Sequence, residues 1–197
     1  MNRSLIKSTA KWAAMLAIGA AFTGCSAGYS TGDTSSVLLI VAAVNGGSPL
    51  KSDVLTKNSI FNDQVELAIA VRFKNPNIDT VPSIPNAVIL DRYEVHYRRS
   101  DGKGVEGQDV PYAISGNITT AFDVKTSGTD PVNIEIVRAQ AKLDPPLRNL
   151  QNGGGSIIVT MIADITLHGH TISGQTVTGK GSLQIDFADW ADDATAN

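Results

Sequence analysis

The sequence from residue 37 onward alternates apolar and polar residues with a period of two, and this pattern constrains the fold more than any other feature. Six segments carry the alternation: 64–73, 92–98, 117–124, 132–136, 157–168 and 182–187. Successive side chains of a β-strand point to opposite sides, so each segment predicts a strand with one buried face and one solvated face. We find no convincing helical period over ten or more residues. The sequence therefore predicts an all-β fold, an immunoglobulin-like antiparallel β-sandwich of seven to nine strands over residues 37–190.

The connections between these segments are rich in residues that favour turns. Asp101-Gly102 predicts a hairpin after the strand that carries Tyr93, and residues 168–176 predict another between the last two long strands. Residues 145–150 (PPLRNL) predict a helical connector of one or two turns, with Asp144 as its N-cap.

Two further segments have particular expectations. Residues 37–44 (VLLIVAAV) are apolar throughout, which predicts a central strand covered on both faces. Residues 81–85 contain two prolines, which favours a position at a sheet edge because proline lacks an N–H group for pairing.

The N-terminal segment has the organisation of an export signal. Three basic residues precede an apolar stretch at 12–22, which is too short to span a bilayer core of about 20 helical residues. Phe22-Thr23-Gly24-Cys25 follows and resembles the lipobox of bacterial lipoproteins, although the family's pattern prefers Leu where this chain has Phe22. A retained membrane anchor and a secretory signal cut elsewhere are the alternatives.

The resemblance to bacterial lipoproteins implies a division of the chain. Residues 1–24 would be a cleaved signal peptide, and Cys25 would carry covalent diacylglycerol and acyl lipid as the mature N-terminus. Residues 25–36, small and polar, would form a lipidated flexible tether, and residues 191–197 a polar C-terminal tail. Ser26 in the second mature position, where an Asp retains many lipoproteins at the inner membrane, favours delivery to the outer membrane in a cell with two membranes.

Composition excludes several classes of partner and chemistry. Residues 1–24 contain three basic and no acidic residues, so the remaining chain has 13 basic and 19 acidic residues and a net charge of −6. This balance disfavours nucleic acid, which is bound by clustered Lys and Arg. Cys25 is the only cysteine, and its lipidation would leave no thiol for a disulfide, for catalysis or for a metal site.

Two glycine-rich motifs match nucleotide-binding patterns by letter but not by context. Gly102 to Gly107 reads G-x-G-x-x-G, but Pro111 follows where the required helix would run. Gly174 to Lys180 reads as a P-loop up to its lysine, but Gly181 replaces the Ser or Thr that would bind magnesium, and an alternating strand pattern follows. We therefore predict a loop and a strand, with no nucleotide bound.

His168 and His170 are the candidate metal ligands, because residues i and i+2 of a strand share a face. Asp164 would lie on the same face as a third ligand, but Gly169 suggests a turn that would separate the two histidines. The acidic residues near the C-terminus are the candidates for calcium: Asp186, Asp189, Asp192 and Asp193. None matches an EF-hand loop, and we predict no metal or other bound cofactor.

Residues 64–104 resemble the water-stress (late-embryogenesis-abundant type) β-sandwich domain. The resemblance rests on a strand that ends in Asn75-Pro76-Asn77, a proline-containing stretch, and an aromatic alternating strand that ends in a glycine turn. It implies an immunoglobulin-like sandwich and carries over no catalytic residue.

Two classes of function remain open. The first is a membrane-anchored cell-envelope lipoprotein that acts as a non-catalytic binding or assembly module, with an envelope protein or a glycan as its partner. The second is an envelope hydrolase or metal-dependent enzyme whose site is assembled from residues distant in sequence. We favour the first, because every local catalytic pattern fails in its context.

The irregular segments 75–86 and 139–155 are candidates for binding or for plugging the ends of the sandwich.

Overall fold

The computed structural model describes residues 28–29, 34–75, 84–153 and 155–190. This part of the chain forms nine strands: β1 (Gly28–Tyr29), β2 (Val37–Val44), β3 (Leu50–Asp53), β4 (Asp63–Phe73), β5 (Val88–Arg99), β6 (Ile114–Phe122), β7 (Asp130–Val137), β8 (Val159–Thr171) and β9 (Thr176–Ala188). The all-β fold is thereby confirmed. The described helical segments are short: α1 (Ala139–Leu143) and 3-10 turns at Asn45–Gly47, Ile84–Asn86 and Leu147–Leu150.

The strands form two sheets that face each other. The larger sheet has the order β1-β9-β8-β5-β6, and β3 also pairs with β9; the smaller sheet has the order β2-β4-β7. Most connections cross from one sheet to the other, as in an immunoglobulin-like sandwich, whereas β5–β6 and β8–β9 are neighbours within the larger sheet. The prediction of antiparallel pairing needs one correction, because β3 runs parallel to β9, with Leu50 opposite Ile185.

The core lies between the sheets and consists of the inward positions of the alternating segments. Leu67 and Ile69 of β4, Val95 of β5, and Ile165 and Leu167 of β8 are almost completely buried. Their neighbours in sequence are more exposed, as the two-residue period predicts. Burying one such side chain contributes about 1.5–3 kcal/mol, so these layers supply most of the driving force for folding.

Tyr97 of β5 joins the two sheets by a hydrogen bond inside this core. Its hydroxyl donates to the carbonyl oxygen of Ile136 on β7 at 2.6 Å. Burial raises the pKa of Tyr97 well above its ordinary value of 10.0. The hydroxyl therefore keeps its proton, and with it the hydrogen bond, throughout the physiological pH range.

Two glycines allow β2 to pack closely across β9. A β-carbon at Gly179 would lie 3.0 Å from Cγ of Leu39, and one at Gly181 would lie 2.9 Å from Cγ1 of Val41. Gly179 and Gly181 occupy inward positions of β9, where the facing residues of β8, Leu167 and Ile165, are larger. Their role is therefore to make room for β2, and this contact closes one side of the sandwich.

The structure corrects the predicted position of residues 37–44. This strand, β2, is an edge of the smaller sheet and not a central strand, because β4 lies between β2 and β7. Its inward residues Val37, Leu39 and Val41 are buried, whereas Leu38 and Ile40 are only partly buried. The outward residues are apolar without being fully covered, which is why composition suggested two buried faces.

Several local predictions are also revised. Gly28–Tyr29, inside the predicted tether of residues 25–36, pairs with β9 opposite Lys180 and Gly179, because the backbone of β9 is open there beyond β3. Residues 145–150 do form a short connector, a 3-10 turn at Leu147–Leu150, but α1 precedes it and Asp144 is the C-cap of α1. The predicted edge segment 81–85 lies mostly outside the described residues, as does the tail 191–197.

We expect Gly181→Ala to destabilise the protein by about 1–3 kcal/mol, since the new methyl group would overpack the β2–β9 contact. Chemical denaturation monitored by circular dichroism measures this change. Gly104→Ala is the matched control, because Gly104 lies in a loop where an added β-carbon would meet no atom within 4 Å, and its φ angle is not positive. Equal stability of the two variants would show that β2 and β9 are not tightly packed.

Candidate functional site

All three histidines of the chain lie on the outer face of the larger sheet. His96 is on β5, and His168 and His170 are on the neighbouring strand β8. We call this surface the polar face; its charged and imidazole residues are Asp91, Arg92, Glu94, His96, Arg98, Asp164, His168 and His170. The inward neighbours of these residues, such as Tyr93 and Leu167, are buried. The two-residue period thus places all of the set except Asp91 on the solvent side.

A β-bulge in β5 shapes this face. Between the pairs Leu90–Gly169 and Arg92–His168, β5 has one residue more than β8, so Asp91 and Arg92 are both exposed although they are adjacent. Gly169 is required at this point, since a β-carbon there would clash with the carbonyl oxygen of Ile89. The glycine that suggested a turn therefore lies within the strand, and the turn of the predicted hairpin occupies residues 172–175.

The charges of the polar face are paired across neighbouring strands. His170 Nδ1 lies 2.9 Å from a carboxylate oxygen of Asp91, and Arg98 Nε donates to Asp164 at 2.7 Å. His168 Nε2 lies 3.7 Å from Glu94, whose carboxylate also accepts a hydrogen bond from Arg92. These pairs are largely exposed, and each contributes at most about 1 kcal/mol.

The candidate metal ligands share this face but do not converge on one point. His168 and His170 contact different carboxylates on β5. Asp164 is four residues from His168, which is about 13 Å along a strand, and its carboxylate is paired with Arg98. Across the described residues, no three His, Cys, Asp or Glu side chains are grouped closely enough to hold a metal ion.

A shallow cleft of about 320 Å³ lies beside the polar face, between β5 and the edge strand β6. Arg92, Glu94 and His96 line one side, and residues 113–117, which include Ser115 and Asn117, line the other. Gly116 lies between these two. The ring of Tyr93 fills the space that a β-carbon would occupy, so a larger residue would not fit at this position. The cleft is therefore a polar recess with hydrogen-bond donors and acceptors on both walls.

One end of the sandwich exposes large apolar side chains. The connections β3–β4, β5–β6 and β7–β8 meet at this end, which we call the loop end, because the strand ends they join are adjacent in the two sheets. Six of the seven exposed large hydrophobic residues in the described chain lie there: Phe61, Val105, Tyr112, Leu143, Ile157 and Ile158. The seventh, Ile172, lies in the β8–β9 turn at the opposite end.

The sequence pointed to only part of the loop end. Of the apolar residues in the segment 139–155, Leu147 and Leu150 are buried and plug the sandwich, whereas Leu143 is exposed. Phe61 and Tyr112 were missed, because they lie outside any periodic segment and only the sheet topology brings their loops to the same end. Of the other candidate loop, residues 76–83 lie outside the described residues.

The two glycine-rich motifs form the structures that their context predicts. Gly102 and Gly107 lie in the β5–β6 connection with φ angles of 84° and 75°, in the left-handed region that favours glycine. Gly174 and Gln175 lie in the β8–β9 turn, and the rest of the motif, Thr176 to Lys180, is part of β9. The expected loop and strand are confirmed.

A buried polar network lies at the base of the loop end. Lys142 of α1 is only 1% exposed, and its Nζ donates to the carbonyl oxygen of Asp53 at 2.8 Å and to Oδ1 of Asp63 at 3.0 Å. Oδ2 of Asp63 accepts a hydrogen bond from the hydroxyl of Ser52 at 2.5 Å. Ser, Asp and Lys side chains can act together in catalysis, but Ser52 is completely buried and out of reach of a substrate. The network instead ties α1 to β3 and β4.

The remaining candidate residues are mostly apart from these surfaces. Asp186 accepts hydrogen bonds from Thr160 and Gln184, whereas Asp192 and Asp193 lie outside the described residues, as does Cys25. In the described ranges, no helix is both long enough and apolar enough to cross a bilayer.

Comparison with known proteins gives no relative: no protein-family model, no curated protein and no solved structure matches the chain significantly. The resemblances to bacterial lipoproteins and to the water-stress domain stay predictions from the sequence.

We expect Lys142→Met to destabilise the protein by about 3–5 kcal/mol, because it leaves the partly buried carboxylate of Asp63 without its cation. Lys125→Met is the control: Lys125 also pairs with an aspartate, Asp130, but its side chain is 43% exposed, so its loss should cost less than about 1 kcal/mol. Urea denaturation of both variants measures the difference. A similar loss of stability in the two variants would mean that the buried Lys142 does not stabilise the loop end.

Proposed function

We propose that the protein is a lipid-anchored lipoprotein of the cell envelope that acts as a non-catalytic binding or assembly module and engages an envelope protein through its loop end. The observation that carries this proposal is the exposure of six large apolar side chains at one end of the sandwich. Large exposed apolar side chains that are grouped on one part of a protein surface are typical of interaction sites.

The chemistry of the loop end supports a protein partner. Its exposed residues include two aromatic side chains, Phe61 and Tyr112, and the branched aliphatic Ile157 and Ile158. Aromatic residues are enriched at the centres of protein interfaces, where a few of them supply most of the binding energy. The Lys142 network and the buried Leu147 and Leu150 hold the surrounding loops in place. An ordered surface loses less entropy on binding than a flexible one.

The position of β1 supports display close to a membrane. Gly28 pairs with Lys180 at the β9 edge of the larger sheet. Gly28 is three residue steps from Cys25 in the sequence, a span of at most about 11 Å. A lipid on Cys25 would therefore hold the β9 edge near the bilayer surface. β6, the opposite edge of the sheet, is four strand spacings from β1, about 19 Å, and would face the envelope space.

We expect Cys25→Ala to abolish lipid attachment. The full-length wild type should incorporate radiolabelled palmitate and enter the detergent phase on phase separation, whereas the variant should remain unlabelled and enter the aqueous phase, because the attached acyl chains dominate its membrane affinity. Ser26→Ala, next to it in the sequence, should behave as wild type. A Cys25→Ala protein that stays in the detergent phase would contradict the anchor.

We expect the double substitution Leu143→Asp and Ile158→Asp to reduce capture of the crosslinked envelope partner at least about tenfold, since each buries a charge in the interface. Both side chains are exposed, so the melting temperature should change by only a few degrees. Ile172→Asp, at the opposite end, is the control and should capture the partner normally. Undiminished capture by the double variant would place the interface elsewhere.

A further inference from the structure

We propose that the cleft between β5 and β6 is a second binding site, which takes a neutral oligosaccharide. This site goes beyond the binding of a protein at the loop end, because it lies on the polar side of the larger sheet and uses different residues. It is built by Arg92, Glu94 and His96 on one wall and by Ser115 and Asn117 on the other.

The walls of the cleft match the hydrogen-bonding needs of sugar hydroxyl groups. A hydroxyl both donates and accepts, so it is best matched by walls that offer both roles. Glu94 offers acceptor oxygens, Arg92 offers donors, and the amide of Asn117 and the hydroxyl of Ser115 offer both. Planar side chains that present two polar atoms can contact two adjacent hydroxyl groups at once, as Arg does with carboxylates.

The balance of charge favours a neutral ligand over an anion. Arg92 and Glu94, the two ionised groups that line the cleft, are paired with each other. Arg138, which donates to the carbonyl oxygen of the cleft residue Ser115, is paired with Glu135. Glu106, which accepts a hydrogen bond from the backbone N–H of Ala113, adds a negative charge. On the polar face, Arg98 is paired with Asp164 and His170 with Asp91. A phosphate or sulfate would need an excess of positive charge here. A hydroxyl-rich ligand needs only polar atoms in suitable positions.

An aromatic side chain of the loop end, Tyr112, adjoins the cleft in the sequence. Tyr112 immediately precedes the cleft-lining Ala113 and is 60% exposed. The outer end of its ring lies over Gly107, where a β-carbon would come within 2.5 Å of the phenol oxygen. The ring is therefore supported from below, and it combines an apolar surface with a polar tip that suit the C–H and hydroxyl groups of a sugar.

The open edge of the sheet leaves room for a chain of several sugars. β6 is the outermost strand of the larger sheet, and residues Thr119, Thr120 and Ala121 beyond the cleft are exposed. The strand has no charged residue and no proline over Ile114–Phe122, so its surface is polar and neutral along its length. A linear oligosaccharide could extend from the cleft along β6.

Isothermal titration calorimetry of the full-length lipoprotein, in micelles of a detergent without a sugar headgroup, tests this proposal. The probes are neutral hexasaccharides of glucose and of N-acetylglucosamine in α-1,4 or β-1,4 linkage, with a sulfated dextran fragment for comparison. We expect at least one neutral hexasaccharide to bind with a Kd below about 1 mM. Asn117→Ala should weaken this binding about tenfold, the effect of one or two lost hydrogen bonds.

The controls separate this site from the loop end. Ser182→Ala changes an exposed outward residue of β9, which is two strands away from β5 and does not line the cleft, and should bind the sugar like wild type. The double variant Leu143→Asp and Ile158→Asp should also bind it normally, even where partner capture is lost. No binding of any neutral probe at millimolar concentration, binding of the sulfated probe alone, or an equal effect of Asn117→Ala and Ser182→Ala would overturn the proposal.

Discussion

The close contact between β2 and β9 determines how the rest of the sandwich is arranged. Gly179 and Gly181 let Leu39 and Val41 approach the backbone of β9, so one side of the sandwich is closed. Since the smaller sheet has three strands and the larger has four long ones, the excess strand must lie on the other side. That strand is β6: Ile114 and Phe122 at its ends are buried, but residues 119–121 between them are exposed.

The loop end is organised by the buried charge of Lys142, whereas the β2–β9 contact depends on glycines. Lys142 reaches from α1 to Asp53 and Asp63, and a buried ion pair of this kind stabilises little by itself but penalises every arrangement that leaves one partner alone. Leu147 and Leu150 fill the space beside it. The same connection that plugs the sandwich therefore presents Leu143, Ile157 and Ile158 to solvent in a fixed arrangement.

Much of the fold could be predicted from the sequence, because strand alternation is a local signal. The segments around Leu67, Tyr93, Ile134, Ile165 and Ile185 all form strands with the expected buried face. β3 gave no such signal, since four residues are too few for a period and its pairing with β9 depends on a distant strand. The place of β2 was misjudged because composition cannot distinguish an apolar edge strand from a central one.

The candidate sites were harder to predict, because they depend on which strands are neighbours. His96 belonged to a polar alternating face in the sequence, but its proximity to His168 and His170 follows only from the pairing of β5 with β8. The bulge at Asp91 and the close approach at Gly169 are likewise invisible in one chain's pattern. Cys25 is the opposite case: its proposed role rests on local sequence alone.

Photo-crosslinking in intact cells tests most directly whether the loop end is the partner-binding surface of an anchored module. A photoreactive amino acid would replace either Ile158 at the loop end or Ile172 in the β8–β9 turn, two isoleucines of nearly equal exposure. We predict a discrete adduct with one envelope protein from position 158 and none from position 172. An adduct from position 172 alone, or no adduct from position 158 in a correctly lipidated protein, would contradict this assignment.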